Sequence, residues 1–171
     1  MANDCTGRVI IYADDTIREE MFAHICSEKS EFDFEKVIPM PEYIDRTAIK
    51  DIEDFANKNK WYAWSIENWG TTWNAYEVMV DEDCGQIDFL TAWCSCSPVI
   101  DALSKQFPEA AILYIYEEIS EDMWGEELYY GGKLINERTG KWSDDSYWKC
   151  PYDYWTKILE AHGCPYADMA S

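Results

Sequence analysis

The chain of 171 residues and 20.0 kDa fits a single domain, and about two-thirds of the unfolded surface is buried at this size. With 47% hydrophobic and 16% aromatic residues, it is not a disordered polyanion. Its 34 acids against 14 bases give a formal charge of −20, which argues against direct binding to nucleic acid or to an anionic membrane surface.

Residues 8–12, Arg-Val-Ile-Ile-Tyr, form a β-branched and aromatic run that predicts a first strand. A helix is expected over residues 16–26, where Thr16-x-x-Glu19 matches a capping box and Ile17, Met21 and Ile25 share one face. Residues 32–41 carry two prolines and predict an extended loop. Asp45 offers an N-cap for a short helix bearing Ala48, Ile52 and Phe55.

Residues 74–80 and 86–93 alternate like the two arms of a hairpin, with the turn at residues 81–85. Ser97-Pro98 supplies an N-cap and a first-turn proline for a helix bearing Val99, Ile100, Leu103 and Phe107. Residues 111–119 predict the next strand. The order is βαββαβ, which defines an α+β, ferredoxin-like antiparallel sheet with an inserted helix. Gly131-Gly132 predicts a further hairpin, and residues 151–162 a closing helix ended by Gly163. The expected organisation is one domain over 1–171. Its core covers about 5–120, its helical insertion about 43–73, and a C-terminal extension about 121–171.

The charge is uneven. Residues 61–132 hold fourteen acids and one base, Lys105. Clusters occur at Asp81, Glu82 and Asp83, and at Glu117, Glu118, Glu121, Asp122, Glu126 and Glu127. A solvated acidic face that keeps the chain soluble explains such a pattern. The sharper expectation is a set of carboxylates fixed on strands that imitates nucleic-acid phosphates, which recur about every 1.7 Å of duplex axis. These nine acids are the candidate partner-binding residues, and they are expected to form one contiguous patch.

The other motifs carry less chemistry. The seven cysteines (5, 26, 84, 94, 96, 150 and 164) are odd in number and irregularly spaced, which fits free thiols in a reducing cytoplasm. Cys94-Ser95-Cys96 lacks the second close pair of a structural zinc site. The chain has only two histidines, His24 on the first helix and His162 at a helix end, both read as structural, so a Ser-His or Cys-His nucleophilic site is not expected, and no phosphate-binding glycine loop is present. No catalytic residue, cofactor or metal is therefore predicted. No apolar run approaches the roughly 18 residues of a membrane span. The start, Met1-Ala2-Asn3-Asp4-Cys5, has no basic or apolar leader region, and the expected location is cytoplasmic.

Asn68-Trp69-Gly70-x-x-Trp73-Asn74 is read as a turn, with Gly70 at positive φ and the indoles packed under the sheet. The alternative is a functional loop. With Trp61 and Trp64 just upstream, it makes a small-ligand or carbohydrate-binding site the runner-up function, and a carboxylate-pair glycosidase a third.

Several segments together resemble the YubB-like proteins, a ferredoxin-like family of plasmids and phages. They are Ala2-Asn3-x-Cys5-x-x-Arg8-Val9, residues 34–41, residues 67–75, residues 89–93 and Ser97-Pro98-Val99-Ile100. The resemblance covers residues 2–132. It implies a ferredoxin-like fold and a mobile-element setting, and it assigns no reaction. By analogy, small acidic proteins in that setting inhibit host restriction or CRISPR complexes. The expected function is thus an acidic binding protein, a nucleic-acid mimic of anti-CRISPR or anti-restriction type. Its partner would be a basic host protein or ribonucleoprotein.

Overall fold

The computed structural model describes residues 3–144, 151 and 153–170; Cys150 and the opening Ala2 lie outside them. The strands are β1 (Asp4–Tyr12), β2 (Tyr76–Asp81), β3 (Gln86–Ala92), β4 (Ala111–Glu118), β5 (Met123–Tyr130) and β6 (Lys133–Gly140). The helices are α1 (Asp15–Ile25), α2 (Phe34–Val37), α3 (Ile52–Ala56), α4 (Trp61–Trp69), α5 (Ser97–Gln106) and α6 (Tyr154–Ala161). One six-stranded sheet runs β2-β3-β1-β4-β5-β6, and every neighbouring pair is antiparallel. The first four strands, with α1 and α5 as the crossovers, make the ferredoxin-like βαββαβ arrangement. The hairpin β5-β6 widens it beyond β4.

Alternation along the strands divides the sheet into two faces. Cys5, Val9, Ile11, Ile87, Phe89, Ile112 and Tyr114 face α1 and α5 and form the main core with Met21, Ile25, Ile100 and Leu103. Phe32, Phe34, Trp64 and Trp69 extend that core. Phe89 is its hub, with ring centroids 5.0 Å from Phe32 and 6.2 Å from Tyr114. On the opposite face Leu113 and Leu128 pack with Leu159 of α6, Cys164 and Ala167. That cover stops halfway along the strands.

The hairpin expectations hold, and Gly131 and Gly132 both take positive φ (62° and 69°), as a two-residue turn of the primed type requires. Several local expectations change. The cap of α1 is Asp14, whose carboxylate accepts from Ile17 N at 2.9 Å, so Thr16 lies inside the first turn. The cap of α5 is Cys96 rather than Ser97, whose hydroxyl is drawn away to Glu127 at 2.6 Å. Residues 34–37 make a helical turn instead of continuous loop, because Asp33 caps it by accepting from Glu35 N. Asp45 caps no helix: it bridges to Lys60 in backbone pairing and by a 2.8 Å ion pair. The short helix α3 is capped by Asp51, and its supposed core residues Ile52 and Phe55 are 84% and 47% exposed. The insertion also contains α4, which runs two residues into the expected turn at 68–74; Gly70 closes that helix at φ 81°.

Asp33 ties this insertion to the core. It is buried, accepts from Asn74 Nδ2 at 2.7 Å, and caps α2. Burial alone raises its carboxyl pKa, but the bonds from Ser27, Asn74 and Glu35 N outweigh burial and hold it below the usual range. Its contribution is therefore present above the unfolded-state pKa and lost as pH falls through the lower folded-state value. Asp33→Ala is expected to cost about 2 kcal/mol at neutral pH. The difference from wild type should shrink on acidification, as read by urea unfolding across pH.

Candidate functional site

The uncovered half of the second sheet face is the candidate site. It is built from the polar phase of four strands, and the pairing register aligns their side chains in rows across the sheet. One row runs Met79, Asp88, Arg8, Ile115, Glu126, Arg138. The next runs Tyr76, Leu90, Thr6, Glu117, Trp124. Between β2 and β4 these rows floor a shallow cavity of about 390 Å³ lined by Thr6, Arg8, Glu77, Met79, Asp88, Leu90, Ile115 and Glu117.

Its electrostatics are one-sided. Arg8 Nε donates to Asp88 Oδ1 at 2.6 Å, and Asp88 Oδ2 accepts from Gln86 at 2.6 Å, so that pair is nearly neutral. Glu77 and Glu117 remain on the cavity wall, where the one lining cation, Arg8, is already paired with Asp88. Asp4 sits at the end of the face and accepts from the Tyr76 hydroxyl at 2.6 Å. Burial, that bond and the Asp4 and Glu77 charges push the Tyr76 phenol far above its ordinary value. The Cys94 thiol at the same end is raised by burial and by Glu118 and Glu121. Burial is the larger cause in both, and the neighbouring carboxylates add to it.

Glu77 is also strained. It has φ 49° within a β-bulge between Tyr76 and Met79. A bulge re-aims side chains and spoils an edge for further pairing, and left-handed backbone at a non-glycine residue costs roughly 1–2 kcal/mol. Glu77→Gly should therefore raise stability by about 1 kcal/mol while weakening partner binding. Parallel melting and binding measurements on the variant check this.

The nine sequence candidates divide. Glu117 lies on the open face, and Glu121 is exposed just beyond it. Asp122 is tied down, accepting from Ser143 N and Oγ at 3.0 and 2.6 Å. Glu118, Glu126 and Glu127 are only 1%, 6% and 7% exposed and are not contact residues. Glu118 accepts from Ser120 on the helix-covered face. Glu126 pairs with Arg138 at 2.6 Å, and burial nevertheless raises its carboxyl pKa against that charge. Glu127 accepts from Ser97 and Tyr129. Asp81 ends β2, and Glu82 and Asp83 occupy the β2-β3 turn beyond it, at the opposite end of the sheet and roughly 13 Å or more along the strands from Glu117. The two clusters are not one patch.

Asp4, Glu77 and Asp88, which complete the open face, were missed as site residues. The signal was the second phase of the strand alternation: Asp4, Thr6 and Arg8 fall on one side of β1, and Asp88 and Leu90 on one side of β3.

Among the described cysteines, Cys5, Cys96 and Cys164 are buried, whereas Cys26, Cys84 and Cys94 are exposed. Cys96 is buried beside the Tyr114 hydroxyl, and Cys5 is pushed up to about 12 by burial. His24 contacts Gln106 at 3.0 Å and packs edge-on against Phe107. His162 Nδ1 lies 2.8 Å from Ile158 O. Among the described residues no group of three His, Cys, Asp or Glu side chains is arranged to hold a metal ion, and no helix is long and apolar enough to cross a membrane.

The fold and this face define an α+β, ferredoxin-like domain with an acidic, partly uncovered sheet. Residues 68–154 match the family described as the ferredoxin-like domain in Api92-like protein, just over half of the sequence, and the chain belongs to that family. The matched segment includes β5 and β6, which the resemblance at residues 2–132 carried only in part. Among solved structures the chain is similar to protein api92 from Yersinia pseudotuberculosis, with 16% identity and a TM-score of 0.48. The alignment covers 64% of this chain and 39% of that one, so the chain spans well under half of that protein's length. No curated protein matches the chain.

Proposed function

We propose that the chain is a binding protein whose acidic half-face receives a basic element of a partner protein. The partner class is a nucleic-acid-binding defence complex of a host bacterium, whose groove the chain blocks. The observation that carries this reading is the unneutralised pair Glu77 and Glu117 on a rigid sheet surface, flanked by Asp4 and Glu121. Carboxylates fixed on strands meet a basic groove without the ordering cost of a floppy acidic tail. The apolar floor of Met79, Leu90 and Ile115 suits the methylene stems of lysine and arginine. The resemblance to YubB-like proteins of plasmids and phages supports the mobile-element setting.

The test is capture of partners from a nuclease-treated bacterial lysate at roughly 50 and 200 mM salt, followed by a nucleic-acid competition assay. A basic protein retained at low salt, released at high salt and displaced by nucleic acid is the expected result. A partner held equally at both salts, and unaffected by nucleic acid, contradicts the proposal.

A further inference from the structure

A second concavity lies on the other side of the molecule's helical layer, away from the acidic face. Its cavity of about 270 Å³ is bounded by Glu35 and Arg46 and by residues of α4 and the loop after it, with the indoles of Trp61, Trp69 and Trp73 in its wall. Trp73 is 47% exposed, although the sequence pattern predicts that it packs under the sheet. The loop presenting it is clamped: Asn74 Oδ1 accepts from Phe34 N at 2.8 Å, and its amide donates to Asp33 at 2.7 Å. Trp61 is fixed by donating to Thr47 O, and Trp69 by donating to Ile38 O. Two of the three rings are thus fixed, and the loop presenting the third is clamped beside it.

The polar rim has a particular chemistry. Arg46 donates through Nη1 to Glu35 at 2.8 Å and through Nη2 to Met40 O at 3.1 Å. The second Glu35 oxygen accepts from Met40 N at 2.9 Å. The pair is thus oriented by backbone and carries no net charge. Two of the five guanidinium N–H donors are engaged by these bonds, which leaves three for a ligand. Within the described residues the Thr72 hydroxyl and the Trp73 indole N–H make no hydrogen bond. A volume just under the ~300–1,000 Å³ of drug-sized pockets suits one ring. A chain of charge −20 disfavours an anionic ligand such as a nucleotide.

We infer that this pocket binds a single neutral sugar ring. Its apolar C–H face lies on the Trp73 indole, and its vicinal hydroxyls meet the planar Arg46–Glu35 edge. Aromatic faces supply contact area at small entropic cost, and a planar guanidinium fits paired oxygens two at a time. The site is independent of the acidic face.

The test is saturation-transfer NMR on the full chain with methyl glycosides of glucose, galactose, mannose and N-acetylglucosamine. A dissociation constant on the order of 1 mM for at least one of them is expected, with transfer to the protons of one ring face. Trp73→Ala and Arg46→Ala should each weaken binding roughly tenfold or more; both side chains are substantially exposed, so neither change removes core. A double Glu77→Lys/Glu117→Lys variant should bind the sugar as wild type does, which separates this site from the acidic one. Saturable binding by none of the glycosides overturns the inference, as does wild-type affinity in Trp73→Ala. A proline-rich peptide binding in their place, with no glycoside bound, overturns it too.

Discussion

Reversing charge at both Glu77 and Glu117 is expected to weaken partner binding by on the order of 100-fold, about 2.7 kcal/mol, with thermal stability nearly unchanged. Both side chains reach solvent at the cavity wall, so lysine replaces them without burying a charge. Each reversal removes an attraction and adds a repulsion against a basic partner, and like-charge contact in an interface costs several kcal/mol at most. The loss should appear mainly in the association rate, because steering by rim charges acts before contact. Reversal at Glu126 or Glu127 makes an instructive contrast. Glu126→Lys places a second cation beside Arg138 in a buried pair, and Glu127→Lys abandons the hydroxyls of Ser97 and Tyr129. Those variants should lose stability first and binding only as a consequence.

The largest stability effect is expected at Phe89. Phe89→Ala should cost about 3–5 kcal/mol, enough to unfold much of a marginally stable domain. The ring lies between Phe32, Phe34 and Tyr114. It also covers Gly7 so closely that a Cβ there would stand 2.6 Å from the ring. A cavity at this point is walled by the sheet on one side and α2 on the other, and neither can collapse far into it. Gly7→Ala attacks the same contact from below by overpacking, at about 1–3 kcal/mol. The double variant Gly7→Ala/Phe89→Leu should recover part of that loss. Urea unfolding of Gly7→Ala, Phe89→Leu and the double variant tests the contact; additive losses would mean that residues 7 and 89 do not share a packing site.

Much of the fold was legible because strand alternation and turn glycines are local signals. β1, the β2-β3 hairpin, α5 and β4 follow from such patterns, and Gly131-Gly132 located the last hairpin. The insertion was not legible for two physical reasons. Asp45 has the chemistry of a cap, but Lys60 competes for its carboxylate, and that partner lies fifteen residues away. In α4, Trp61, Trp64 and Asn68 share a helical spacing, yet the Asn-Trp-Gly segment also suits a turn, and Gly70 turns out to be the helix's closing residue.

The candidate site was legible only in part. Acid counts along the sequence treat every carboxylate as surface. In the sheet, Glu118 and Glu127 point to the covered face. Glu126 finds Arg138 only because a bulge between Leu128 and Tyr129 shifts the β5-β6 register. Regular pairing from the Gly131-Gly132 turn would have set Glu126 opposite Glu137, carboxylate against carboxylate. Ile135 is the residue this bulge leaves unpaired, and it packs with the cluster that holds Leu159 of α6, a long-range contact that no local pattern records. Conversely, Glu77 gains its prominence from backbone strain, which composition does not show.

The salt dependence of partner affinity, compared between wild type, Glu77→Gln/Glu117→Gln and Glu82→Asn/Asp83→Asn, tests the acidic face most directly. If the uncovered half of the sheet is the binding surface, the first variant flattens the slope of log Kd against log salt and the second leaves it at the wild-type value. An unchanged slope in the first variant, or a flattened one in the second alone, would move the interface to the β2-β3 turn and contradict the account.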